Sequence, residues 1–417
     1  MELFERLAYY GQAAILSVFL RDHLKFDIED AGLLQSIFGG LIYFLPIFAG
    51  ALADKFGFKK AFTFAFFILA IGYFLIGSTG MEAFSGWYSE DHLFLILSLI
   101  FIFTAIGGSF IKPSVLGTIA VASSSENKSF GYAIYYWIVN IGAAIGPILA
   151  LIVRDSVGIQ FVYLVSSFSC ALMLLVTLFF FKEPEQKKVE DQLALKTVAK
   201  NMWTVLNNFK FIVFLLIFSL YWVVFWEYFI VVPYYVRDYI AQDAPFEIIT
   251  ATGAFTIVVF QIPINLLTKR IPTFTSIIIS FILAATSWLM LFFVAPLVQN
   301  MFVNITSEGS TLFQIGLGIP LAMSAIFIFS VGEQTQAPKF YEYLADLAPK
   351  GQAALFQGFA FLPIAIAFFI VGPFGGWIYK VFAVEQTKPE MVFLVIGLVG
   401  ILATILMIIY NGINNKK

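Results

Sequence analysis

Charge is scarce in this chain. Of its 417 residues, 12% are Asp, Glu, Lys or Arg and 60% are hydrophobic, whereas a soluble domain carries roughly 25% charged residues. A water-soluble fold could not cover so much apolar surface. Cysteine is nearly absent: the single Cys170 excludes a disulfide framework, and its apolar surroundings mark it as a small core or lipid-facing residue. Histidine is limited to His23 and His92, both at the ends of apolar runs. No Cys/His cluster, Ser/His pair or His/Asp pair is spaced for metal or nucleophilic chemistry, so the sequence does not read as an enzyme. Nor is there an excess of positive charge. A net charge of −2 gives no basic face for nucleic acid. A cleavable signal peptide is not expected either, because Glu2, Glu5 and Arg6 stand where its apolar core would lie.

What is present is a series of long apolar runs. Residues 61–77, 158–181, 274–297 and 391–410 are nearly free of charge, each about the length that crosses a hydrocarbon core of roughly 30 Å. Short polar, Gly- or Pro-bearing turns divide the chain into twelve such segments: 2–21, 31–53, 60–78, 93–121, 130–152, 158–181, 209–236, 246–267, 273–297, 311–340, 352–379 and 390–411. Lys and Arg concentrate in alternate loops, among them Lys55, Lys59, Lys60, Lys182, Lys187, Lys188, Lys269 and Arg270. The opposite loops hold only Arg21, Lys25, Arg154, Arg237, Lys380 and Lys388. That asymmetry predicts a multi-pass inner-membrane protein, bathed in lipid, with both termini cytoplasmic. One long charged connector, 182–208, separates residues 1–181 from 209–417, six segments on each side. It is predicted to be a cytoplasmic linker continuing as an amphipathic surface helix.

Between the second and third segments the chain reads Gly50-Ala51-Leu52-Ala53-Asp54-Lys55-Phe56-Gly57-Phe58-Lys59-Lys60. Small residues permit close helix contact, Gly57 a tight turn, and Asp54 with the Lys cluster a latch between helix ends. The stretch resembles the loop signature of the major facilitator superfamily. That resemblance implies an all-α membrane protein of two six-helix bundles, twelve transmembrane helices in all, with substrate bound near the midplane between halves that rock.

Further motifs narrow the resemblance. The opening Glu2-Leu3-Phe4-Glu5-Arg6-Leu7-Ala8-Tyr9-Tyr10-Gly11 places Glu2, Glu5, Arg6 and Tyr9 on one helical face. It resembles the first-helix motif of proton-coupled oligopeptide transporters. Three stretches match other motifs of that family: Gly107-Gly108-Ser109-Phe110-Ile111-Lys112-Pro113-Ser114, Tyr135-Tyr136-Trp137-Ile138-Val139-Asn140-Ile141-Gly142, and Val331-Gly332-Glu333 with Ala337-Pro338 and Leu347-Ala348-Pro349. Tyr43, followed by Pro46, matches as well.

The departures are equally specific. Gln12 and Ala13 stand where the family has Met-Arg, so Glu227 lacks the Arg that usually pairs with its counterpart. The surroundings of Glu227, Tyr221-Trp222-Val223-Val224-Phe225-Trp226-Glu227-Tyr228, hold one residue more than the family pattern. Asn265 in Gln261-Ile262-Pro263-Ile264-Asn265 is displaced by one, and Gln334, Thr335, Gln336 and Lys339 replace mainly small or apolar residues. Family members also carry a helical turn or two before the first Glu, so the natural start is expected upstream of Met1.

Glu5, Arg6, Lys112, Glu227 and Glu333 all fall inside predicted spans. An ionisable residue at membrane depth is a functional-site candidate by default, because the bilayer makes it costly. The resemblance implies that Arg6 and Lys112 take a peptide carboxylate, that Glu333 takes the amino group, and that Tyr9, Tyr10, Tyr43 and Asn140 contact the peptide backbone. Glu227, with Glu2 and Glu5 against Arg6, is the expected proton-coupling set. Glu342 and Asp346 read as gate or surface charges. The function expected is proton-coupled symport of di- or tripeptides or peptide-like zwitterions by a monomer, with protons as coupling ion and no other cofactor. The alternative is proton-coupled symport or antiport of another metabolite or drug on the same fold.

Overall fold

The computed structural model describes residues 1–122, 128–184, 203–303, 310–347 and 359–414. Most of the 182–208 connector, Ala348-Pro349 of the tenth-span motif, and the side chains of Asp54, Glu342 and Asp346 lie outside the described set. The described chain is helical throughout its apolar runs. Helices α1 (Glu2–Val18), α2 (Ile28–Phe44), α3 (Pro46–Phe56), α4 (Phe58–Ser78), α5 (Leu93–Ser109), α6 (Ile111–Ala122), α7 (Lys128–Val157) and α8 (Gln160–Phe180) precede the connector. After it come α9 (Phe209–Tyr235), α10 (Glu247–Thr268), α11 (Thr273–Val303), α12 (Ser310–Leu347), α13 (Leu362–Ile378) and α14 (Pro389–Asn414).

Eleven helical stretches among the described residues are long and apolar enough to cross a membrane. The first expected span, α1, is shorter at 17 residues, and a π-helical turn, Phe19–His23, prolongs it. Two spans are broken in the middle. Between α2 and α3, Pro46 cannot donate to the preceding turn, and the helix restarts at it. Between α5 and α6, Gly107, Gly108 and Ser109 lead into Phe110, and Pro113 withholds another donor. The second break sets Lys112 in the first turn of the restarted helix.

By contacts the chain forms two compact units. One comprises Met1–Phe19 and Leu34–Asn208, the other Leu20–Leu33 and Phe209–Lys417. The end of the π-helical turn after α1 and the start of α2 thus group with the later helices, a placement that no span count gives.

In the first unit α1 crosses α7 at glycines. A Cβ on Gly146 would stand 2.8 Å from the Leu7 carbonyl oxygen and 2.9 Å from the Gly11 nitrogen. Gly142 and Gly146 form a small-xxx-small seam that lets the two backbones approach, the packing device of helices in lipid. The start of α4 is held by the connector: the backbone N–H groups of Phe58 and Lys59 donate to Glu183 Oε1 and Oε2 at 2.8 and 2.6 Å. A carboxylate there satisfies otherwise orphaned donors and meets the positive end of the helix dipole. Gly57, at φ 95°, turns the chain into that position at no Cβ cost.

In the second unit α9 packs on α11 through buried aromatic hydrogen bonds. Tyr228 Oη donates to Ser287 Oγ at 2.8 Å, and Trp288 Nε1 donates to the Val224 carbonyl at 3.0 Å. Apolar side chains remain on the outside: Phe168, Phe179, Phe180 and Leu267 are largely exposed, as expected where lipid is the solvent.

Candidate functional site

The charged face of α1 is inside the first unit. Glu5 and Arg6 are only 2% and 3% exposed. Arg6 pairs with Glu5 through its guanidinium and reaches Glu2, with Nε 3.3 Å from Oε1. The helical spacing accounts for Glu2 and Arg6 meeting at i and i+4. Gly142 of α7 accounts for the depth, since a Cβ there would run into the Cβ of Arg6. Above the guanidinium lie Tyr9 at 5.2 Å and Tyr10 at 6.0 Å from ring centre to Cζ. These faces offer the cation an electron-rich wall.

The second cation, Lys112, stands in the first turn of α6. Lys112 Nζ stands 4.3 Å from the centre of the Tyr43 ring. Tyr43 is buried on α2 and shares a hydrogen bond with Tyr9 of α1. One tyrosine pair therefore links the Arg6 side of the cluster to the Lys112 side. Asn140 is buried too, and one N–H of its Nδ2 donates to the Tyr136 carbonyl at 2.8 Å, which leaves the second N–H and the amide oxygen. The structure thus gathers Glu2, Glu5, Arg6, Tyr9, Tyr10, Tyr43 and Lys112 into one electrostatic cluster, in which Glu5, Arg6, Tyr9 and Tyr43 are buried and the others half-buried.

The second unit holds the two remaining carboxylates in unlike settings. Glu227 on α9 is fully buried, and neither carboxylate oxygen has a hydrogen-bond partner among the described residues. Glu333 on α12 is half-buried beside polar neighbours. Tyr221 of α9 accepts from Ser280 Oγ at 3.1 Å and is hydrogen-bonded to Gln336. Gln334 and Thr335 turn back onto their own helix, donating to the Ser330 and Val331 carbonyls at 3.1 and 2.8 Å. Glu333 thus has polar side chains nearby, whereas the Glu227 carboxylate is buried without a hydrogen-bond partner among the described residues, an arrangement that is costly for a charge.

These geometries can be set beside known proteins. A sequence profile described as the Major Facilitator Superfamily matches residues 2–337. The chain belongs to the Major Facilitator Superfamily. As a facilitator it is a multi-pass membrane protein. It is 27% identical over 184 residues to "Dipeptide and tripeptide permease B" of Aliivibrio fischeri, covering 43% of this chain and 34% of that one. It is 30% identical over 184 residues to the protein of the same name from Salmonella typhimurium, at 43% and 35% coverage. The matched part of the facilitator spans about a third of the length of these relatives.

Its fold is that of solved POT family transporters. It superposes at a TM-score of 0.75 on one in complex with a thioalcohol-conjugated peptide, with 18% identity, covering 99% of this chain and 94% of the other. It superposes at 0.74 on one in complex with 5-aminolevulinic acid, again with 18% identity, at 98% and 94% coverage.

Sequence reading alone missed several contributors. Gly142 lay inside a quoted motif, but its contact with Arg6 needs the α1–α7 crossing. Tyr221 lay in the stretch quoted around Glu227, but its place near Glu333 needs the packing of α9 on α12, and Ser280 carried no motif of its own. Gly375, against which the Glu227 carboxylate rests, was signalled only by the Gly375-Gly376 pair in an apolar run, a pattern that marks close approach of another group.

Proposed function

We propose that this facilitator is a secondary active transporter that couples proton entry to the uptake of di- or tripeptides or similar zwitterions. The observation that carries the reading is the pair of cations in the first unit, buried Arg6 against Glu5 and Glu2, and half-buried Lys112 over Tyr43. Two cations at membrane depth are costly unless a ligand or a bound carboxylate makes use of them. A carboxylate-bearing substrate that competes with Glu5 for Arg6 releases a group able to take a proton, and this links substrate and proton reciprocally.

In this reading Arg6 and Lys112 bind the carboxyl group and Glu333 the amino group. Tyr9, Tyr10, Tyr43 and the Asn140 amide contact the peptide backbone. Glu227 is the proton carrier, assisted by the Glu2/Glu5/Arg6 switch. The names of the curated relatives and of the solved structures support the substrate class. The transporter works as a monomer in the inner membrane with both termini cytoplasmic, and no cofactor besides the proton enters the cycle.

The test is uptake into liposomes. Purified protein should accumulate a dialanine-type peptide when the interior is made alkaline, and a protonophore should abolish accumulation while leaving counterflow exchange intact. Accumulation that ignores the proton gradient, or none for any small peptide, would refute the reading.

A further inference from the structure

Among the described residues, Glu227 stands out by what surrounds it. Its carboxylate is fully buried and without a hydrogen-bond partner, and the wall it rests on is the bare backbone of α13. A Cβ at Gly375 would run into Oε2 and would stand 2.9 Å from Oε1 and 3.0 Å from Cδ. The same short stretch of α13 is gripped from a second direction. A Cβ on Gly376 would lie 2.8 Å from the Ile28 carbonyl oxygen and 3.3 Å from the Glu29 Cα, and a Cβ on Gly32 would collide with the Gly372 carbonyl. Gly372, Gly375 and Gly376 are a helical turn of one another, so α13 is wedged between the Glu227 side chain and the backbone of α2 with no side chain as cushion. Pro373, within that turn, removes a helix hydrogen bond where the wedge sits, which makes this the point at which α13 bends most easily.

We propose that Gly375 is the positioning residue of the Glu227 carboxylate, and that through it α13 transmits the proton occupancy of Glu227 to the start of α2. The proposal rests on the reading of the chain as a proton-coupled transporter and assigns that reading its mechanical link. Neutral Glu227 fits the slot against Gly375. A charged carboxylate finds no hydrogen-bond partner there among the described residues, and α13 and α11 carry no ionisable side chain to answer it. No hydrogen bond reaches it from the charged side chains of the other helices of this unit, Glu247 of α10, Glu333 and Lys339 of α12 and Glu390 of α14. A charged Glu227 must therefore draw in water or push α13 aside. Because packed helices shift between discrete arrangements, displacement of α13 at Gly375 breaks its contacts one residue away with Ile28 and Glu29 and one turn away with Gly32.

The experiment uses the full chain and two readouts. The first needs no substrate: labelling of Glu227 in purified protein by an apolar carbodiimide, which reacts with buried carboxyl groups. The second compares proton-driven accumulation with counterflow in liposomes. Gly375→Ala fills the slot with a methyl group, so labelling and accumulation should each fall at least about tenfold while counterflow stays within about twofold. Glu227→Asp shortens the side chain by one methylene. Combined with Gly375→Ala, it should restore labelling and accumulation to within about threefold of Glu227→Asp alone, a non-additivity expected only of groups in contact. Wild-type labelling and accumulation in Gly375→Ala would overturn the proposal, as would a double variant no better than the single one. Should Gly375→Ala fail to fold, Gly375→Ala with Glu227→Ala must fold, since the colliding carboxylate is gone; failure of both overturns the proposal too. A wild-type protein that accumulates no peptide refutes the transport reading alone, and the labelling arm still decides the role of Gly375.

Discussion

Arg21 holds Asp238 with both ends of its guanidinium, Nη1 at 2.8 Å from Oδ2 and Nη2 at 2.9 Å from Oδ1. Both residues belong to the second unit. The same Arg21 pairs through Nε with Asp22 and lies 4.2 Å from the Tyr234 ring centre, while Arg237 reaches Asp22 and Tyr379 donates to Asp238 at 2.8 Å. Networks of this kind outlast isolated surface pairs because one ordered side chain serves several partners. Arg21→Met should therefore lower thermal stability by about 1 kcal/mol or slightly more, measured by melting in detergent. Lys380→Met, which removes only the exposed pair with Glu29 at 3.1 Å, should change it little. Equal effects would show that the network adds nothing.

Asp22 gives that network a defined response to acid. Burial alone would raise its carboxyl, but hydrogen bonds and charge from Arg21 and Arg237 outweigh this and hold it below its ordinary value. A group lowered on folding contributes stability in full above its unfolded value of about 4, and loses it as the pH falls through the folded value beneath that. Melting temperature should thus drop more steeply below about pH 4 in the wild type than in Asp22→Asn. Parallel curves would exclude Asp22 as the responsible group.

Lys112 is a half-buried cation in the first turn of α6, so removing its charge should spare the fold. Lys112→Ala is expected to reduce gradient-driven peptide uptake at least about tenfold with an unchanged melting temperature. Uptake at the wild-type rate would take Lys112 out of the binding site.

Glu227 and Glu333 should respond differently to the same substitution. Glu227→Gln keeps the shape of the neutral acid and should retain counterflow while losing proton-driven accumulation. Glu333→Gln removes the proposed partner of the amino group and should weaken peptide binding about tenfold or more. If Glu227→Gln accumulates peptide normally, the proton site is Glu2 or Glu5.

The connector contact is also measurable. Glu183→Ala leaves the first N–H groups of α4 without their acceptor, and a lost helix cap costs about 0.5–2 kcal/mol. Stability should fall by that order, and Glu183→Asp should fall short of restoring it because the carboxylate no longer spans both donors. No loss in Glu183→Ala would mean that water replaces the carboxylate at little cost.

Much of this was legible in the sequence, for identifiable reasons. Helical spacing alone puts Glu2, Glu5, Arg6 and Tyr9 on one face, and the cost of charge in a bilayer turns that face inward; the buried pairs agree. The apolar runs give the spans, although the breaks at Pro46 and Phe110 show only as local Pro and Gly signals. What was not legible depends on partners distant in sequence. Tyr43 beneath Lys112, Gly142 beneath Arg6 and Gly375 against Glu227 each need a helix crossing that no single-chain pattern encodes. The assignment of residues 20–33 to the later unit is of the same kind.

Cys170 is fully buried within α8 and is the only thiol in the chain. Spectroscopic labels can therefore be attached to engineered surface cysteines in the otherwise native sequence, because the one natural sulfur is shielded from water-soluble reagents. Distances between label pairs on the two units, recorded at several proton concentrations and with or without peptide, would follow the transport cycle in a protein that needs no cysteine-free background.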